Sequence, residues 1–128
     1  MKIFILFKSV AKKRKKVYNK EDRQMSNKNY CIGVDLGGTN IAVGLVDLDS
    51  RKIVRQTSTK TNAPRSGEAI CADIASLCRT LCTQEKIKMS AVQWVGAITP
   101  GTIKDGVVTS ACNLGWKNVN FAKILASA

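Results

Sequence analysis

The chain has no histidine among its 128 residues. That excludes Ser-His-Asp and Cys-His catalysis within the chain and argues against an ordinary zinc site. Cysteine occurs five times, at Cys31, Cys71, Cys78, Cys82 and Cys112, but no two are spaced C-x-x-C. An odd count without a framework reads as free thiols in a reducing cytoplasm. Each is expected to be a small buried apolar residue. Long apolar runs are missing as well. Ile3–Phe7 is a run of five, short of a signal-peptide core of about 7–15 residues or a membrane span of about 20. Two nucleotide signatures are absent: there is no G-x-x-x-x-G-K-[ST] loop, and no G-x-G-x-x-G that opens a helix.

Acidic residues are scarce, nine against 21 Lys and Arg, for a formal net charge of +12. The excess is uneven. Residues 1–24 hold nine Lys/Arg and two Asp/Glu, so +7; residues 25–128 hold twelve and seven, so +5. The folded part is therefore only mildly basic, and its charge gives no case for nucleic-acid binding. Residues 1–29 are expected to be a basic, disordered extension outside the fold. Lys12–Lys16 is its basic cluster, and Met25 offers an alternative start.

What the chain does have is Asp35-Leu36-Gly37-Gly38-Thr39-Asn40, set between apolar runs at Tyr30–Val34 and Ile41–Val46. Each run has the length and bulk of a buried strand. A strand that meets Gly-Gly and re-enters a strand at once predicts a tight hairpin. The glycines are expected to supply positive φ and to let a ligand approach bare backbone. Exposed N–H groups and the Thr39 hydroxyl suit phosphate oxygens. Asp35 suits Mg²⁺, held through water. A plain hairpin with a Gly-Gly turn explains the glycines about as well.

In chain order, Tyr30–Leu36 reads as a strand buried on both faces, Asn40–Asp47 as a second, and Lys52–Lys60 as a third at or near an edge. Together they predict an antiparallel meander. Ser66 is a good N-cap, with Glu68 in the first turn. Ile70, Ile74, Leu77 and Leu81 then fall on one helical face, which predicts a helix over about Gly67–Gln84 packed on the sheet. Ala91–Ile98 reads as a fourth strand, reached by a parallel crossover. Thr99–Thr102 is a rigid turn at its end, where ligands bind in open α/β sheets. Val107–Thr109 is a short strand, Ala111–Trp116 a loop, and Phe121–Leu125 the start of a helix. Asn113 and Trp116 are candidates for ligand contacts; the alternatives are a turn-forming Asn and a core Trp.

Two separated blocks resemble one family. Asp35–Asn40 looks like the D-x-G-G-T phosphate motif of the actin/hexokinase-like (ribonuclease H-like) ATPase fold. Val95–Gly101, then Gly106-Val107-Val108, then Asn113-Leu114-Gly115-Trp116, resembles the G-[IV]-G-x-P-G…G-x-[VI]…N-L-x-W block of the ROK family of repressors, open reading frames and sugar kinases. The resemblance covers about residues 30–125 and is nearest to the glucokinases. It implies an α/β fold, the N-terminal half of an actin-like ATPase domain at residues 30–128, and a cytoplasmic enzyme. The implied activity is ATP-dependent phosphorylation of a hexose, glucose foremost, at its 6-hydroxyl. Gly33, Asp35, Gly37, Gly38, Thr39 and Asn40 would bind ATP, with Asp35 carrying Mg²⁺. Gly101 and Thr102 would contact the sugar, and Cys112 and Asn113 would lie near its other hydroxyls. No nucleic-acid or membrane partner is implied. Full-length relatives are expected to be homo-oligomers.

The sequence departs from the family in two ways. The N-D base, E-x-G-H and adenosine motifs are not present, so no catalytic residue is assigned and the chain is expected to be a truncated fragment, inactive alone. Ile98 stands where the family has glycine and is expected to crowd the Pro100 turn. Two other readings remain open: a sugar-sensing ROK repressor and a non-catalytic sugar- or nucleotide-binding remnant. Only 29 residues precede Tyr30, too few for the roughly 60–80-residue winged helix-turn-helix such repressors carry.

Overall fold

Alternation along Tyr30–Leu36 orients the whole fold. Tyr30, Ile32, Val34 and Leu36 are all buried on one face of this strand, whereas Gly33 is exposed and Asp35 half-buried on the other. A computed structural model describes residues 3–8 and 29–128. It contains strands β1 (Ile3–Lys8), β2 (Tyr30–Leu36), β3 (Asn40–Asp47) and β4 (Lys52–Lys60), then helix α1 (Gly67–Gln84). Strands β5 (Val92–Thr99), β6 (Thr102–Lys104), β7 (Val107–Ala111) and β8 (Trp116–Val119) follow, and helix α2 (Phe121–Ser127) comes last. Five strands form one sheet in the order β1-β5-β2-β3-β4, and three form a second in the order β6-β7-β8.

β2, β3 and β4 are the expected antiparallel meander, and β4 is the sheet's edge. The turn between β3 and β4 is held by Asp47, whose Oδ1 accepts from the N–H of Asp49 at 2.9 Å and of Ser50 at 3.1 Å. This is the Asx geometry that favours Asp at turns. The chain then crosses through α1 and returns as β5, parallel to β2. α1 starts where Ser66 Oγ accepts the Ala69 N–H at 3.2 Å, and it carries Glu68 in its first turn. Ile70, Ile74 and Leu81 are fully buried beneath the sheet with Ile32, Ile41, Val43 and Leu45. Each such side chain contributes about 1.5–3 kcal/mol on leaving water.

Several expectations need correction. Residues 1–29 do not all lie outside the fold, because β1 pairs antiparallel with β5, Ile3 opposite Thr99 through Lys8 opposite Trp94. A run of β-prone residues meets an open strand edge there, a pairing that local sequence does not encode. The basic cluster Lys12–Lys16 and Met25 lie outside the described residues. β2 is not sealed on both faces; away from α1 only Cys31 is buried. β5 is displaced by one residue from its expected span. The stretch read as a loop at Ala111–Trp116 is a 3-10 turn, Cys112–Leu114, which leads into β8. Trp116 is a core residue, 4% exposed, tilted against Phe121 with ring centroids 5.7 Å apart. Its Nε1–H donates to the Arg65 carbonyl at 2.8 Å.

The burial pattern predicts unequal costs for two isoleucines. Ile74→Ala should destabilise by about 2–5 kcal/mol through lost burial and a residual cavity. Ile53→Ala on the exposed edge should stay within about 0.5 kcal/mol. Urea denaturation followed by circular dichroism checks both.

Candidate functional site

The β2–β3 hairpin closes with Leu36 opposite Ile41 and with the Gly37 N–H donating to the Asn40 carbonyl at 2.8 Å. Neither Gly37 nor Gly38 has positive φ, contrary to expectation; among the described glycines that conformation belongs to Gly101, Gly106 and Gly115. The bend needs glycine for space instead. A Cβ on Gly37 would lie 3.0 Å from the Asn40 carbonyl oxygen, and one on Gly38 would lie 2.8 Å from the Asn113 Cβ.

The second contact joins the two separated motifs. Asn113 lies in the 3-10 turn that follows β7, so the polyglycine bend of the large sheet abuts the end of the small one. Gly101 reaches the same end. It adopts φ +94°, and a Cβ there would fall 2.0 Å from the Ser110 carbonyl oxygen. Thr102 opens β6 opposite Ser110, with its carbonyl accepting the Thr109 hydroxyl at 3.1 Å. Gly101, Thr102, Cys112 and Asn113 are all exposed. They thus meet at one end of the small sheet, and Asn113 carries that end onto Gly38.

Thr39 and Asn40 are exposed at the bend, and Lys60 faces Asn40 across β3 and β4. Bonds around the bend engage the carbonyls of Gly37, Thr39 and Asn40; among the described residues none engages the N–H of Gly38 or Thr39. Two backbone amides and a hydroxyl, with a lysine across the ladder from Asn40, are groups suited to phosphate oxygens. Asp35 sits two residues before the bend on the face away from α1. Its neighbours in register are Ala42 on β3 and Ile98 on β5. Ile98 therefore flanks Asp35. That face is an open groove of about 770 Å³, walled in part by Trp94, Ile98 and Ile53. Gly33, Gly44 and Gly96 lie side by side across its floor. Gly33 belongs to this floor, four positions before Gly37. A larger depression of about 1260 Å³ between α1, β8 and α2 is lined, among the sequence-predicted candidates, by Trp116 alone.

Three residues that sequence reasoning did not single out bear on the site: Lys60, Thr61 and Arg65. Thr61 is fully buried. Its hydroxyl donates to the Gly37 carbonyl at 2.7 Å and its N–H to the Thr39 carbonyl at 2.9 Å. Arg65 donates to the Thr61 carbonyl at 3.2 Å and to Asp73 Oδ2 at 2.7 Å. The only sequence signal for them was their position: Lys60 ends a strand, Thr61 follows it, and Arg65 precedes an N-cap. Among the described residues no cluster of three His, Cys, Asp or Glu side chains could hold a metal, and no helix is long and apolar enough to cross a membrane. A magnesium ion here would rest on Asp35, water and phosphate, the sparse protein ligation usual for that ion.

Four cysteines are buried as expected, but Cys112 is exposed beside Asn113. Burial pushes the Cys71 thiol up to about 12, with the Glu68 charge adding to it. Burial and then Cys82 push Cys78 up to about 12, against Arg79 and a backbone hydrogen bond. Burial also raises Cys31 and Cys82.

The sequence profile of the ROK family matches residues 31–128. No curated protein matches the chain. Three solved structures resemble it over 77% of its length. A ROK glucokinase from Streptomyces griseus, in complex with glucose and AMPPNP, has a TM-score of 0.62 and 26% identity. An inorganic polyphosphate/ATP-glucomannokinase from Arthrobacter sp. strain KM has 0.62 and 28%, and a ROK hexokinase from Thermus thermophilus has 0.63 and 25%. The chain covers 30%, 40% and 31% of those proteins, respectively. The shared architecture is the actin/hexokinase-like ATPase fold.

Two expectations follow from the geometry. Gly38→Ala should separate the bend from Asn113 and cost about 1–3 kcal/mol through overpacking, measurable by thermal denaturation. A disulfide reagent at neutral pH should label Cys112 alone in the folded chain and all five thiols after unfolding. The buried thiols also set a pH dependence. Their folded values lie above the ordinary 9.0, so the unfolded chain ionises first. Their contribution to stability is complete below about 9 and is lost as pH rises from there towards about 12. The urea midpoint should fall over that range, and less in a Cys71→Ala, Cys78→Ala variant.

Proposed function

The chain belongs to the ROK family, and from that premise we propose that it forms the phosphate-binding and sugar-facing part of an ATP-dependent hexose kinase, with glucose as acceptor. The observation that carries this reading is the close approach of Gly38 to Asn113. It puts a cradle of free backbone amides beside a cluster of exposed polar groups suited to a polyol. Phosphoryl transfer needs little covalent help from a protein; it needs positioning and neutralisation of charge.

In this reading the N–H groups of Gly38 and Thr39 and the Thr39 hydroxyl hold phosphate oxygens, and Lys60 adds charge. Asp35 holds the magnesium ion through its waters. When bound, the ion neutralises phosphate charge and orients the donor. Gly101 and Thr102 present backbone to the sugar, and Cys112 and Asn113 approach its remaining hydroxyls. The glucose and AMPPNP of the Streptomyces griseus complex support this assignment by family likeness. Five free thiols support placement in a reducing compartment such as the cytoplasm.

The proton on the attacking hydroxyl has no acceptor in this reading among the described carboxylates away from Asp35. Asp47 and Asp49 lie at the β3–β4 turn, at the far end of β3 from the bend. Asp73 pairs with Arg65, and Glu85 pairs with Arg55. Glu68 lies in the first turn of α1. Asp105 sits in the β6–β7 turn, at the opposite end of that hairpin from Gly101 and Cys112. Loss of a general base typically costs about 10²–10⁴ in rate. The chain alone should therefore bind without turning over.

Calorimetric titration with AMPPNP tests the assignment. Magnesium should tighten binding to the wild type and should have little effect on Asp35→Asn. Glucose-dependent ADP production by the 128-residue chain should stay at background. Turnover at the rate of a complete kinase, or magnesium stimulation that survives in Asp35→Asn, would overturn the reading.

A further inference from the structure

The phosphate cradle has a support that no motif announces. Thr61 follows the exposed edge strand β4, yet it is fully buried, and both its hydrogen-bond donors point at the bend. We propose that Thr61 is a positioning residue for phosphate binding: it sets the orientation of the Gly38 amide by holding the peptide that amide belongs to. The inference rests on the nucleotide reading for its ligand, though not for its geometry.

The argument is one of peptide planarity. The Gly37 carbonyl and the Gly38 N–H share one peptide unit, and in a trans peptide they point in opposite directions. The Thr61 hydroxyl draws that carbonyl inward at 2.7 Å, so the Gly38 N–H faces away from the buried threonine. The Thr61 N–H holds the Thr39 carbonyl at 2.9 Å. The two bonds clamp the bend on either side of Gly38. Glycine at 37 and 38 is conformationally free, so a peptide flip would cost little without such a clamp. A buried carbonyl that lost its partner would instead turn towards water.

The clamp also reaches the other half of the site. The Thr61 carbonyl accepts from Arg65, and the Arg65 carbonyl accepts from Trp116 Nε1 at 2.8 Å. Trp116 opens β8 two residues after the turn that holds Asn113. The connector between β4 and α1 thus sets the bend and the Asn113 turn against each other.

The test compares Thr61→Val, which keeps the shape and removes the hydroxyl, with Thr61→Ser, which keeps the hydroxyl. In ligand-free ¹H–¹⁵N spectra the Gly38 amide resonance should move in Thr61→Val and stay near its wild-type position in Thr61→Ser. Magnesium-AMPPNP should bind Thr61→Val about 3- to 10-fold more weakly than wild type, the range expected for one hydrogen bond. Thr61→Ser should stay within about twofold. If Thr61→Val does not fold, Thr61→Cys, with its weak S–H donor, should fall between wild type and loss. An unmoved Gly38 amide, or equal affinity in the valine and serine variants, overturns the proposal. If the wild type itself fails to bind AMPPNP, the nucleotide reading falls, and the Gly38 amide shift still decides the role of Thr61.

Discussion

The contact between the two sheets at the hairpin bend depends on a missing Cβ at Gly38. The large sheet and the small one are built from different stretches of chain, and each has its own hydrogen-bonded ladder. They share one hydrophobic core, and at the bend of the first Gly38 lies close against Asn113 of the second. Any larger residue at Gly38 would hold them apart by the radius of a methyl group. The constraint is steric, not torsional, since Gly38 adopts no left-handed conformation.

That distinction explains what was legible in the sequence. β2, β3, β4 and α1 have the spans expected because each carries its own period and its own boundary: Gly-Gly, Asp47–Ser50, and Ser66 with Glu68. The bend was recognisable as a motif, but the reason for its glycines was not, because the neighbour that forbids a side chain lies 75 positions away. β6 and β8 are three and four residues long, too short to show a period, and exist because β7 lies between them. β1 was invisible for a related cause: an apolar run of five can only become a strand when an edge is offered to it. Thr61 was hidden by its surroundings. It follows Thr57, Ser58 and Thr59 in a strand of exposed residues, and nothing local marks it as the buried one.

The two faces of the large sheet divide stability from access. Beneath it, α1 and the aliphatic side chains of β2 and β3 form a closed core. Above it, Gly33, Gly44 and Gly96 are aligned across three strands, and a Cβ at Gly33 or Gly44 would meet nothing within 4 Å. Glycine in a strand interior costs roughly 0.5–1 kcal/mol relative to alanine, and the core on the opposite face offsets it. A stretch of bare backbone at that cost fits a surface that something must approach closely, and Asp35 stands at its edge. Stability gathered on one face thus lets the other remain shallow around the carboxylate that the nucleotide reading needs, with the cradle of amides just beyond it. The same division places β4 at the rim, where its last residues, Thr59 and Lys60, deliver Thr61 beneath the bend instead of above it. An edge strand that is exposed at all positions but Thr57 is therefore followed at once by a fully buried residue bonded to the bend.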